Sequence, residues 1–264
     1  MPEAKGGPFV FWNDLAGGCQ KAAALGFDAV EIFGPSAKAI NCSVLEGLLE
    51  QHRLKLAALG TGAGWLLQKW HLCHPKKEIR ESAREFIREM IDFGSKFNAP
   101  AIIGSMQGRI ESPVTRNEAL DWLGAALDDL GEHASRRQQK LLFEPLNRYE
   151  TNLFNCVAET KDFLKKVGGG NVKILADLFH MAIEESSIPE AFRAAGDTIG
   201  HVHFADSNRR AIGFGHTEAT PIMMALRDIG YTGYLSAEIF PWPNPEAAAE
   251  QTIKAYKHLC STIS

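Results

Sequence analysis

Apolar residues fall along this chain in short runs, and most runs are followed by a longer stretch with a helical beat. The runs are PFVFW (8–12), FDAVEIF (27–33), LKLAALG (54–60), PAIIGS (100–105), KLLFEP (140–145), VKILAD (172–177), IGHVHF (199–204) and YLSAEIF (234–240). Between them, stretches such as KKEIRESAREFIREMIDFGSKF and NEALDWLGAALDDLGEHASRR place apolar residues at i, i+3, i+4 and i+7. Eight strand–helix units in 264 residues average about 33 residues each, the size of a βαβ repeat. Strands alternating with helices predict a parallel sheet, and eight units predict its closure. The expected fold is α/β, a single (β/α)8 TIM barrel over residues 1–264, since no Gly/Ser/Pro linker or low-complexity tract divides the chain. The alternative is an open doubly wound sheet. It would carry a glycine-rich phosphate turn after an early strand, and WNDLAGG at 12–18 matches that poorly.

Composition narrows the setting without changing the fold. A formal net charge of −4 gives no general electrostatic footprint for nucleic acid. Five scattered cysteines form no CxxC pair and no disulfide framework. The N-terminus lacks a basic region followed by a long apolar run, and no segment approaches the ~18 apolar residues of a membrane span. The expectation is a cytoplasmic protein that binds neither nucleic acid nor membrane.

The chemistry gathers at the ends of the late runs. KLLFEP carries Glu144, VKILAD ends on Asp177, IGHVHF carries His203 and YLSAEIF carries Glu238. The gaps are 33, 26 and 35 residues, one strand–helix unit each, so all four fall at the C-terminal mouth where barrel enzymes keep their chemistry. A single acidic residue at a strand end is usually a turn or helix cap. Four polar residues on four consecutive strands instead form an oxygen-rich ring suited to Mn²⁺, Mg²⁺, Co²⁺ or Zn²⁺. His201 shares a face with His203 but lies deeper along the strand, and it reads as an interior residue with its hydrogen bonds satisfied. After the third run comes TGAGWLLQKWHLCHPKK (61–77), whose two tryptophans and two histidines suit a lid or equally a packed loop. Its H-L-C-H cluster lacks the second half of a tetrahedral zinc site.

FEPLNRYETN, ADLFHM, HVHFADSNR and SAEI together resemble the xylose-isomerase-like sugar isomerases and epimerases, within that group most nearly the ketose 3-epimerases of D-tagatose/D-psicose type. The resemblance covers nearly the whole chain and is strongest from residue 100 onward. It implies metal ligands at Glu144, Asp177, His203 and Glu238, and substrate-hydroxyl contacts at Glu150, His180 and Arg209. It also implies one divalent ion, with Mn²⁺ favoured, and a small sugar or hydroxy-ketone substrate. A homo-oligomer, dimer or tetramer, is expected.

Elementary chemistry reaches a compatible mechanism. A ketose can chelate a divalent ion through its carbonyl and a neighbouring hydroxyl, and a Lewis acid there stabilises the enediolate left when the intervening carbon loses its proton. Two carboxylates on opposite faces, Glu144 and Glu238, then suffice as catalytic groups, one removing the proton and the other returning one. Arg209 offers fixed donors to a hydroxyl or to an enediolate oxygen. With Arg210, Gly213 and Gly215 the same loop could instead cradle a phosphate. His216 reads as a loop anchor. Aldose–ketose or hydroxypyruvate isomerisation would use the same site. An apurinic endonuclease needs further histidines at the third and fourth strand ends, which read ALGTG and IIGSMQG. A non-catalytic metal-binding barrel would need only the ligands.

Overall fold

The computed structural model describes residues 4–167 and 171–263, so the first three residues of the N-terminal stretch read above lie outside the described residues. Seven strands are present among them: β1 (Ala29–Phe33), β2 (Lys55–Gly60), β3 (Ala101–Ile103), β4 (Leu141–Phe143), β5 (Val172–Asp177), β6 (Ile199–His203) and β7 (Leu235–Ser236). They are hydrogen-bonded in sequence order, and the pairs β2–β3, β3–β4, β4–β5 and β6–β7 are parallel. A doubly wound sheet would reverse its strand order at a switch point. This one does not, which leaves the barrel.

The chain divides into two compact units, Glu31–Asn41 with Leu56–Leu175, and Met1–Val30 with Cys42–Lys55 and Ala176–Ser264. Each draws on separate stretches of sequence, so no linker marks a boundary.

In the first of these units the longest helices follow the predicted beat. Lys77–Ser95 buries Ala83, Phe86, Ile87, Met90 and Ile91, one stripe at three- and four-residue spacing. Arg116–Arg136 opens on a capping box, in which Thr115 accepts from the Glu118 backbone N–H and the Glu118 carboxylate reaches back. Ala58, Ile102, Leu142 and Leu175, from four strands, make one fully packed cluster. Leu142→Ala is expected to destabilise the protein by about 2–5 kcal/mol, the cost of a buried cavity. A lower denaturant midpoint with an unchanged slope would record it. The 61–77 segment is a packed element of this unit. It forms a helix over Ala63–Gln68, buries Leu72 and Cys73, and donates the Leu72 N–H to Met106 O at 2.9 Å. Burial, with His74 as the smaller cause, lowers the His71 pKa to about 4, so its ring is neutral at neutral pH.

The other unit corrects two of the predicted strands. PFVFW is not a strand. Residues 10–13 form turns after Gly6, Gly7 and Pro8, and the Phe9 N–H bonds back to Gly7 O at 2.9 Å. The run is apolar because Val10 packs on the cluster of Ala205, Ala211, Ile239 and Ala248, while Phe11 takes the Lys21 ammonium 5.2 Å from its ring centroid. YLSAEIF pairs over only two residues. Beyond Ser236 its backbone bonds elsewhere, the Phe240 N–H going to Arg209 O at 2.7 Å. Glu238 therefore stands two residues past β7 rather than within a strand. No helix among the described residues is long and apolar enough to cross a membrane.

Candidate active site

Within the unit that contains residues 176–264, Asp177, His203 and Glu238 each offer one ligand atom, and these atoms lie within 4.8 Å of one another. Asp177 ends β5 and His203 ends β6, so sequential strands deliver them at one level. His203 Nδ1 is 3.5 Å from Asp177 Oδ2 and 3.7 Å from Glu238 Oε2. Two ligands on bonds of about 2.1 Å at roughly 90–110° lie about 3.0–3.5 Å apart, so these three atoms need only a small inward adjustment to hold one ion. Two carboxylates and an imidazole suit the hard-to-borderline divalent ions, and three protein ligands leave positions open for a substrate.

Asp177 does two things with its two oxygens. It is the N-cap of helix Leu178–Glu184, and its Oδ1 accepts the Phe179 N–H at 2.8 Å. Oδ2 is buried and accepts no hydrogen bond, with His180 Nε2 at 3.8 Å and the Arg209 guanidinium at 3.9 Å. A buried carboxylate oxygen left in this way is costly unless a cation faces it. Burial alone would raise the Asp177 pKa, but the charges of His180, His203 and Arg209 outweigh it and hold the carboxyl below its ordinary value. The site therefore presents a charged Asp177 at neutral pH.

His180 is buried. It sits in the helix that follows β5, 1% exposed, with its ring against Phe179 at 5.3 Å. Arg209 arrives from the loop after β6. It forms an ion pair with Glu238 Oε2, and its guanidinium lies 4.9 Å over the Phe179 ring. Its φ of 58° is left-handed, which costs a non-glycine residue about 1–2 kcal/mol, so surrounding structure must hold it there. His201 is the interior residue its position predicts, 2% exposed with Nε2 3.0 Å from Ser236 Oγ.

The loop from 206 to 217 has an organiser that reading the sequence missed. Asp206 is fully buried and collects four backbone N–H groups. Ser207 (2.7 Å) and Thr217 (2.9 Å) donate to Oδ1, while Gly213 and Gly215 donate to Oδ2, both at 2.8 Å. These donors overcome the effect of burial and keep its pKa below the ordinary value. The loop that could have cradled a phosphate thus closes on an anion of its own. Arg210 is also engaged, its guanidinium 4.2 Å over the Trp242 ring. At His216 the backbone N–H donates to Ser207 Oγ at 2.9 Å, a contact that does not draw on the imidazole. The available signal was an aspartate followed at seven and nine residues by the glycines of AIGFG.

Glu144 and Glu150 belong to the unit formed by 31–41 and 56–175. Glu144 follows β4 directly, 6% exposed, and its backbone N–H bonds to Ile103 O at 3.0 Å. Gln107 Nε2 donates to Glu144 O at 2.8 Å. Its carboxylate lies over Gly104, where a Cβ would come within 2.4 Å of Oε2, so the position opposite must lack a side chain. Glu150 is exposed, with Oε1 accepting from Asn147 Nδ2 at 3.0 Å. That loop is pinned by Thr151 Oγ1 to Gly108 O and by Arg109 to Tyr149 O.

The sequence matches the xylose isomerase-like TIM barrel family model over residues 19–259. It is 30% identical over 243 residues to a D-psicose 3-epimerase of Agrobacterium fabrum, covering 90% of this chain and 80% of that one. It is 32% identical over 228 residues to a D-psicose 3-epimerase of Ruminiclostridium cellulolyticum, covering 84% and 76%. The crystal structure of a D-allulose 3-epimerase from Methylomonas sp. superposes with a TM-score of 0.84 at 24% identity, covering 96% of both chains, which bears on the fold.

Proposed function

The chain belongs to the xylose isomerase-like TIM barrel family, and on that premise we propose that it is a divalent-metal-dependent ketose 3-epimerase. The observation that carries the reading is the convergence of Asp177 Oδ2 at the end of β5, His203 Nδ1 at the end of β6 and Glu238 Oε2 two residues past β7. With residues 1–264 acting as one catalytic domain, Glu144 would be the fourth ligand. The ion, for which Mn²⁺ is favoured, would supply Lewis-acid stabilisation of negative charge on the substrate oxygens.

The protein's own groups then do the rest. One glutamate of the pair Glu144 and Glu238 takes the C3 proton, and the C–H electron pair moves into the enediolate. The other glutamate returns a proton to the opposite face of C3 as the carbonyl re-forms. Asp177 and His203 would hold the ion and move no proton. His180, Arg209 and Glu150 bind substrate hydroxyls and fix which carbon faces the carboxylates. The closure of the 206–217 loop on Asp206 favours an unphosphorylated sugar, because the backbone N–H groups that would meet a phosphate are already committed. The ends of β2 and β3 carry Thr61 and Gly104, not the histidines a multi-zinc endonuclease would need there. Five scattered cysteines with no CxxC pair support a reducing, cytoplasmic setting.

The test is isotope wash-in. A panel of free and phosphorylated ketoses incubated with enzyme and Mn²⁺ in D2O should gain deuterium at C3, with free sugars preferred. Deuterium at C1 would make the protein an aldose–ketose isomerase on the same site. No exchange with any sugar would remove both readings.

A further inference from the structure

We propose that Asp206, whose carboxylate is committed to four backbone N–H groups, is the positioning residue that sets Arg209 for catalysis; the proposal rests on the epimerase reading above. Three facts support it. The Asp206 carboxylate is the single acceptor at which Ser207, Gly213, Gly215 and Thr217 converge, so both limbs of the loop end on one group. Its main chain grips the segment between those limbs, the Asp206 N–H donating to Arg210 O at 2.9 Å and the Arg209 N–H donating to Asp206 O at 2.8 Å. The result is the left-handed turn at Arg209 that sends the guanidinium over Phe179 toward Glu238.

The glycines are shaped to this carboxylate. A Cβ on Gly215 would lie 2.3 Å from Asp206 Oδ1, and Gly213 has a φ of +98° that side-chain-bearing residues avoid. A carboxylate is the fitting group because all the backbone partners are donors. An asparagine would turn its own N–H₂ toward two of them, leaving donors face to face in a buried site. The loop would then loosen, and Arg209, with several rotatable bonds, would lose its fixed direction. Misplacement of about 1 Å in a positioning group can cost ~10²-fold in rate.

The experiment is a double-mutant cycle on the full-length, metal-loaded protein with the ketose it epimerises fastest. Asp206→Asn should lower kcat/KM by about 10–100-fold. In the Arg209→Ala background the same change should cost less than about twofold, because the group it positions is already gone. Losses that multiply would overturn the proposal, since they would mean Asp206 acts on the fold and not through Arg209. Limited trypsin digestion supplies a readout independent of activity. The wild-type loop should resist cleavage at Arg209 and Arg210, and Asp206→Asn should be cut there first. An unchanged digestion pattern would overturn the proposal even in a protein that epimerised no sugar, a result that would separately remove the functional reading. Should Asp206→Asn not fold, Gly215→Ala pushes against the same carboxylate and should show the same non-additivity with Arg209→Ala; additivity there also overturns it.

Discussion

Glu238→Gln and Glu144→Gln, each assayed at saturating metal, should lose turnover by about 10²–10⁴-fold, the range for removing a general acid–base group. The amide keeps an oxygen that can ligate weakly, so the variants should remain folded and still bind the ion. What is lost is the group that can hold a proton. Arg209 makes Glu238 the more sensitive of the two. Its guanidinium pairs with Glu238 Oε2, so an amide there forfeits a charge-assisted contact as well as a base. Asp177→Asn should behave differently. Asp177 is assigned no proton transfer, so much of its defect should recover as metal is raised. Proton exchange separates the cases further. With one glutamate disabled, deuterium should still enter from the face that the surviving glutamate serves, without net epimerisation. Near-wild-type turnover of both glutamine variants would sink the two-carboxylate mechanism and leave Glu144 and Glu238 as ligands only.

The strand order was legible in the sequence because it follows from period and spacing. β5 and β6 were legible to within a residue, and Asp177 and His203 stand at their ends. The first and last runs were not. An apolar run reports burial and says nothing about extension. PFVFW is used as a turn that lays Val10 on a neighbouring cluster, and nothing in its composition separates that from a strand. YLSAEIF alternates as a strand should, yet its second half bonds to the Arg209 turn rather than continuing the β6 ladder. The same blindness hid Asp206. Its importance lies in where four backbone N–H groups point, and sequence carries that only as two glycines at suggestive distances. His180 was legible as a candidate contact, but its burial follows from a helix that starts at Asp177 without an intervening loop.

Stripping the protein with a chelator should reduce epimerase activity to background, and added Mn²⁺ or Co²⁺ should restore it. The apo protein should nevertheless stay folded. The negative charge of Asp177 and Glu238 is met in this structure by the Arg209 guanidinium, so losing an ion does not leave bare carboxylates facing one another. Stability should still fall, because an ion that binds the assembled ligands and not the unfolded chain contributes RT ln(1 + [L]/Kd), about 2.7 kcal/mol at a hundredfold excess over Kd. For a chain of this size, each 1 kcal/mol moves the melting temperature by roughly 2–4 °C, so chelation should lower it by about 5–11 °C. Asp177→Asn should blunt that shift, since it removes the charge on the buried Oδ2 that faces the other ligand atoms. Calorimetric scans with and without chelator, on wild type and on Asp177→Asn, measure both effects together. Full activity in protein shown by elemental analysis to be metal-free would remove the ion from the mechanism. The convergence of Asp177, His203 and Glu238 would then need explaining as a hydrogen-bonded polar cluster.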